Sequence, residues 1–169
     1  MQTIVRDQAK KYAFDWRDEP LLRVREGETI AIETWDASTG FFKTPEDKAI
    51  PAKRPGFDRS PPMANPIAGP VFIIGAERGD VLVACIEEVE VADYSWVAVG
   101  PKRGPLGEST RWPELSTEYT TKMFPHTPGP SGTTVDGNLQ FSDSISWPIT
   151  PFIGTLGTAP DREVRTSID

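Results

Sequence analysis

Asn65-Pro66-Ile67-Ala68-Gly69-Pro70-Val71-Phe72-Ile73-Ile74-Gly75-Ala76-Glu77-Arg78-Gly79-Asp80-Val81-Leu82-Val83-Ala84-Cys85-Ile86 is the stretch on which the fold turns. Two β runs flank a short Gly-bearing turn, and both runs are apolar enough to require burial. The second continues into Glu87-Glu88-Val89-Glu90-Val91, where valines alternate with acids. That change of pattern predicts a strand passing from a two-sided buried setting to a half-exposed one. Upstream, residues 21–24 and 29–35 read as two strands joined by Arg25-Glu26-Gly27-Glu28. In the second of these, Ile30, Ile32 and Thr34 share one face while Ala31, Glu33 and Trp35 share the other, so both faces are expected to be partly covered. Residues 95–99 form a further expected strand, stopped by Gly100-Pro101.

Between and after these strands the pattern fails. Residues 36–68 carry six prolines and no period, which suggests a long loop or arm. Residues 100–132 are again rich in Pro, Gly, Ser and Thr. Asp136-Gly137 suits a tight hairpin turn between Thr133-Thr134 and 139–141. The segment 147–160 has too much Pro and Gly for an ordinary central strand, and its glycines suggest close approach of backbone, at a bulge or against another chain. With 17 prolines and 14 glycines in 169 residues, a helical bundle is excluded, because both residues interrupt helices. A turn-rich, mostly β protein with antiparallel sandwich or barrel-like pairing and long Pro/Gly loops remains.

The charge balance narrows function. The net charge of −7 disfavours binding to a phosphate backbone, so no nucleic-acid partner is expected. No apolar run approaches the roughly 20 residues of a spanning helix, so no membrane partner is expected. The N-terminal residues lack a signal-peptide layout, and a lone Cys85 has no internal partner. Both suggest the cytoplasm. Cys85, mid-strand between Ala84 and Ile86, reads as a buried structural thiol. His126, in a Pro-rich stretch, reads as a surface residue rather than a general base. Carboxylates are the better chemical candidates. Glu33, Asp36, Glu77 and Asp80 fall at strand ends, where a rigid element could aim them at a hard cation or a water. Against that stands a local role: Asp36 opening a turn, and Glu77 and Asp80 bonding their own hairpin backbone.

Taken in order, these blocks resemble the acetamidase/formamidase family. Asn65 to Leu82 is similar to its block of a Gly-Pro, an apolar strand, then Gly-Ala-Glu-x-Gly-Asp and a second strand. Residues 24–27, 29–34 and Asp36-Ala37 resemble its early strand pair, and 148–160 its Pro-Phe-Ile-Gly-x-x-Gly-x-Ala-Pro segment. Asn65 stands where the family often has His, and Arg78 where it has Pro. Family members run to about twice this length, and their second-half motifs, Gly-Asp-x-His among them, have no counterpart here. The resemblance therefore implies an N-terminal half spanning 1–169, with 36–68 as loop or arm, 69–99 as central strands and 147–160 facing a partner. It implies one subunit of a metal-assisted hydrolase of linear amides such as formamide or acetamide, working in a homo- or hetero-oligomer. A second protein chain would supply the C-terminal half and most ligands of a divalent metal, zinc or calcium. Asp36 and Glu77 are the expected catalytic residues of this half, and Asp36 and Asp80 its expected metal contacts. The alternatives are a non-catalytic scaffold or binding subunit, and a related hydrolase acting on a lactam or urea-like substrate.

Overall fold

Short strands, paired over two to six residues and joined by long irregular connections, build the framework of this chain, in a computed structural model that describes residues 1–8 and 10–168. The chain divides into two compact units. The first comprises Met1–Gly40, Pro55–Ala84 and Gly154–Asp169; the second comprises Phe41–Arg54 and Cys85–Ile153.

The first unit holds three two-stranded pairs. β1 (Gln2–Ile4) runs parallel to β4 (Ile30–Ile32). β3 (Leu22–Val24) runs parallel to β5 (Val71–Ile73). β2 (Ala13–Asp15) is antiparallel to β10 (Val164–Thr166). Ile4 and Val24 are its buried hydrophobic residues, one from each parallel pair. Ser167 anchors the C-terminal end, its hydroxyl donating to the carbonyls of Tyr12 and Ala64.

The second unit is a four-stranded antiparallel sheet in sequential order, β6 (Tyr94–Val99), β7 (Thr120–Thr127), β8 (Asn138–Ser142) and β9 (Ile145–Pro148). Its buried residues include Phe42, Ala49, Thr121, Phe124 and Thr134. Phe42 packs edge-on against Phe41 and lies 4.1 Å, centroid to centroid, from the Trp96 ring. Phe124 stacks on Phe141, which in turn meets Trp147.

The expectation of a mostly β architecture with little helix and long loops is borne out; among the described residues the one α-helical turn, Gly104–Gly107, is four residues long. No sheet closes into a barrel among the described residues, and two of the pairings are parallel rather than antiparallel. Residues 36–68 hold no named strand and one turn of 3-10 helix, Pro51–Lys53, as a loop does, yet Ser38 is buried in the first unit, and Phe42 and Ala49 in the second. Three local expectations are corrected. The stretch 100–132 contains the longest strand, β7. Asp136-Gly137 makes no two-residue turn. Thr134–Asp136 is a turn of 3-10 helix in a longer connection, with the Asp136 carboxylate accepting from the Ser131 N–H and hydroxyl. Finally, 81–86 forms no strand at all, and Cys85 within it is exposed. Ile32, Glu33 and Thr34 are likewise exposed, so 29–35 is covered less than its pattern suggests.

Two measurements test this packing. Phe42→Ala removes a ring with no exposed surface and should cost about 3–5 kcal/mol in denaturant unfolding. Three carboxylates set the acid limit. The side chain and backbone N–H of Arg17 hold Asp15 at about 2. Backbone N–H groups of Lys43 and Thr44 lower Asp47, and Ser131 lowers Asp136. Each folded pKa lies below the unfolded value, so their contribution is complete above about pH 4 and disappears as pH falls towards 2. Melting temperature should drop across that window, less steeply in Asp15→Asn and Asp136→Asn, and less steeply in high salt because none of the three is fully buried.

Candidate functional site

Asp36 follows β4 by four residues and opens a tight turn. Its Oδ1 accepts from the backbone N–H of Ser38 at 2.7 Å and of Gly40 at 3.1 Å. Its carbonyl accepts from the Thr39 N–H at 2.9 Å. The turn needs left-handed backbone at Thr39 and at Gly40, where φ is 70°. A side chain at 40 would also run into the Trp35 ring, so only glycine suits the position on both counts. The turn is tied down twice: the Tyr12 hydroxyl meets Thr39 Oγ1 at 2.7 Å, and the Ala37 carbonyl accepts from the Asn65 N–H at 3.0 Å. The Arg6 guanidinium lies 4.5 Å and the Lys10 ammonium 5.6 Å from the centroid of the Trp35 ring beside it. The result is an exposed carboxylate on a constrained turn, next to an indole flanked by two cations.

Glu77 and Asp80 close a second turn in the first unit. Asp80 Oδ2 accepts from the Glu77 N–H at 2.8 Å, and the Glu77 carbonyl accepts from the Asp80 N–H at 3.1 Å. Gly79, at φ 103°, completes it. Arg78 is drawn to Asp161 at 2.7 Å. The structure thus brings Glu77 and Asp80 together through backbone bonds, and gives both Asp36 and Asp80 the turn-forming roles that their positions allow. Among the described residues no group of three or more His, Cys, Asp or Glu side chains stands ready to hold a metal ion. This chain's residues alone therefore do not fit a complete metal site.

His126 was missed as an ordered residue. It lies in β7, not in a loop, with Nδ1 2.6 Å from the Ala92 carbonyl and Nε2 3.0 Å from Ser95 Oγ. A carbonyl can only accept, so Nδ1 carries a proton and, in the neutral ring, Nε2 accepts from the serine hydroxyl. Both nitrogens are thereby committed within the second unit. The same unit carries an open cleft lined by Ile86, Glu87, Glu88, Val89, Val135 and Pro151. In the segment 147–160, Gly157 approaches the Phe14 ring so closely that a Cβ would lie 3.2 Å from it, while Gly154 faces open space. Among the described residues no helix is long and apolar enough to cross a membrane.

Comparison with known proteins gives one consistent answer. No family model matches the chain, and no curated protein matches it. Solved structures do. An acetamidase from Bacillus halodurans superposes with a TM-score of 0.72 at 25% identity, over 97% of this chain and 48% of its own. A predicted acetamidase/formamidase from Thermoanaerobacter tengcongensis gives 0.76 at 26% identity, over 98% of this chain and 48% of its own. An acetamidase from Yersinia enterocolitica gives 0.67 at 22% identity, over 96% and 46%. The resemblance to the acetamidase/formamidase family is borne out in the fold, and the chain spans about half the length of the structures it matches, as an N-terminal half does.

The turn geometry separates the shape of residue 36 from its charge. Asp36→Ala leaves the Ser38 and Gly40 N–H groups without their acceptor and should destabilise by about 1 kcal/mol. Asp36→Asn keeps a carbonyl acceptor at the same place and should stay within about 0.5 kcal/mol of wild type in urea unfolding.

Proposed function

We propose that this chain is one subunit of a hydrolase acting on the linear C–N bond of a small amide, formamide- or acetamide-like, with the rest of the active site on a second chain. The observation that supports this most strongly is the match of 97–98% of the chain to 48% of two acetamidase-type structures. A second observation agrees. The chain exposes 12158 Å², whereas two separate folded domains of half its mass would expose roughly 9,900 Å² in total. That excess of exposed surface supports a reading in which a second chain covers part of it.

Amide hydrolysis needs a water deprotonated on attack, a stabiliser for the oxyanion, and a proton for the departing nitrogen. In this reading Asp36 is this half's contribution to handling the water, because its turn holds the carboxylate in place without help from the substrate. Glu77 is the second candidate for proton transfer and Asp80 the third carboxylate, itself tied to the turn. A divalent cation, zinc or calcium, would supply Lewis-acid chemistry there, and most of its ligands would come from the second chain. The exposed, unpaired thiol of Cys85 fits a reducing compartment such as the cytoplasm.

Ammonia release from formamide and acetamide by the co-purified complex, with and without chelator, tests the reading. Activity that needs both chains and is lost with chelator is the expected result. An intact two-chain complex that releases no ammonia from either amide would leave a scaffold. Hydrolysis by the 18.6 kDa chain alone would overturn the two-chain arrangement. In the active complex, Asp36→Asn should lower kcat by about 100-fold or more with no change in native mass; unchanged kcat reduces Asp36 to its turn.

A further inference from the structure

Ser95 and His126 set a hydroxyl nucleophile against a nitrogen base, a pair that the chemistry at Asp36 does not use. Both belong to the second unit, Ser95 on β6 and His126 on β7. Ser95 stands opposite Phe124, so His126, two residues further along β7, is its diagonal neighbour on the same face of the sheet. Ser95 Oγ lies 3.0 Å from His126 Nε2, and His126 Nδ1 lies 2.6 Å from the Ala92 carbonyl oxygen. With the Nδ1 proton held by that carbonyl, Nε2 of the neutral ring presents its lone pair, and the serine hydroxyl donates to it. Among the described residues this hydroxyl has no other partner. Both side chains are half-buried, neither sealed in the interior nor loose in solvent.

The base is held in place by its backbone as well as its ring. The His126 N–H donates to the Asp93 carbonyl at 2.8 Å, and Pro125, with its fixed φ, precedes it. Asp93 and His126 are thus a hydrogen-bonded pair, and Tyr94 and Pro125 the non-hydrogen-bonded pair that follows, so the proline costs the ladder no bond. The same alternation turns the Tyr94 N–H away from β7, at the outer edge of the sheet and one peptide from Ser95. A tie between β6 and β7 would be redundant here, because the ladder already pairs them over six residues. A nucleophile, a base in the correct tautomer, an acceptor that fixes the tautomer and a backbone donor close by are what acyl transfer requires.

We propose that Ser95 is a nucleophile, with His126 as its general base, for transfer of a small acyl group from an ester of an acidic alcohol. The pair lies wholly in the second unit, so this activity is separate from amide hydrolysis at Asp36 and does not rest on the two-chain reading. In the first step Oγ bonds to the acyl carbon as its proton passes to Nε2. The ester C–O bond then breaks, and the leaving oxygen takes the electron pair and afterwards the proton from Nε2. In the second step water adds to the acyl carbon and gives a proton to Nε2. The bond from that carbon to Oγ breaks, Oγ recovers the proton, and the carboxylic acid leaves. A carbonyl offsets the charge of the developing imidazolium less than a carboxylate would. Aryl esters, whose leaving oxygen needs little help, are therefore the substrates, rather than alkyl esters or amides.

A fluorophosphonate probe and para-nitrophenyl acetate test this on the purified protein. The probe bonds its phosphorus to an activated serine oxygen with loss of fluoride, and a serine that merely donates a hydrogen bond does not react. The label should map to Ser95 and form at least about 100-fold faster than in His126→Ala. Release of nitrophenolate should fall to the uncatalysed rate in Ser95→Ala, and in the wild-type protein once it is labelled. Three results overturn the proposal: no label on Ser95, an equal labelling rate in a folded His126→Ala, or nitrophenolate release unchanged in Ser95→Ala. If His126→Ala does not fold, the position of the label in the wild-type protein and the rate in Ser95→Ala, which keeps the strand backbone, still decide it.

Discussion

A peptide group removed from water must be paired, and an apolar side chain left in water gains nothing; in 81–86 the backbone stays in water and the apolar side chains stay there with it. The rest of the structure follows from how far each segment meets them. In the first unit, parallel pairs only three residues long place Ile4 and Val24 in the interior. In the second, β6 and β7 pair over six residues and place Phe124 beneath β8. Five hydrophobic residues are buried among those described, Ile4, Val24, Phe42, Ala49 and Phe124. That is a small interior to set against the entropy of ordering a chain of this length, so much of the apolar surface has to find its cover elsewhere.

What was legible in the sequence was local. Leu22–Val24, Ile30–Ile32 and Val71–Ile73 were readable because β-branched residues stand between Gly- and Pro-marked turns. The Asp36 turn was readable because an aspartate two residues before a serine and four before a glycine can accept from both. β7 was not readable. Pro125 interrupts it, and the burial of Thr121 and Phe124 does not follow a period of two. Pro125 is tolerated because it stands opposite Tyr94, at the very end of the β6 ladder. The reading of 81–86 failed in the opposite direction. Strand propensity describes what a segment can do, and pairing depends on a partner that no local pattern contains.

The candidate site divides in the same way. Side chains positioned by their own backbone, Asp36 and the Glu77–Asp80 turn, could be located from sequence and are found where turn chemistry puts them. His126 could not, because what holds it are the Ala92 carbonyl and Ser95, thirty or so residues away and across a strand pairing. A ligand set is harder still. Metal sites gather donors from distant parts of a chain, and here no three of the right kind converge among the described residues.

In the proposed two-chain reading, the open surface and the chemistry at Asp36 are connected. A carboxylate on an exposed turn is solvated by bulk water, which weakens every charge interaction it makes. Water has to be excluded before Asp36 can act differently from any surface aspartate, and in this reading the apolar strands of a second chain do the excluding.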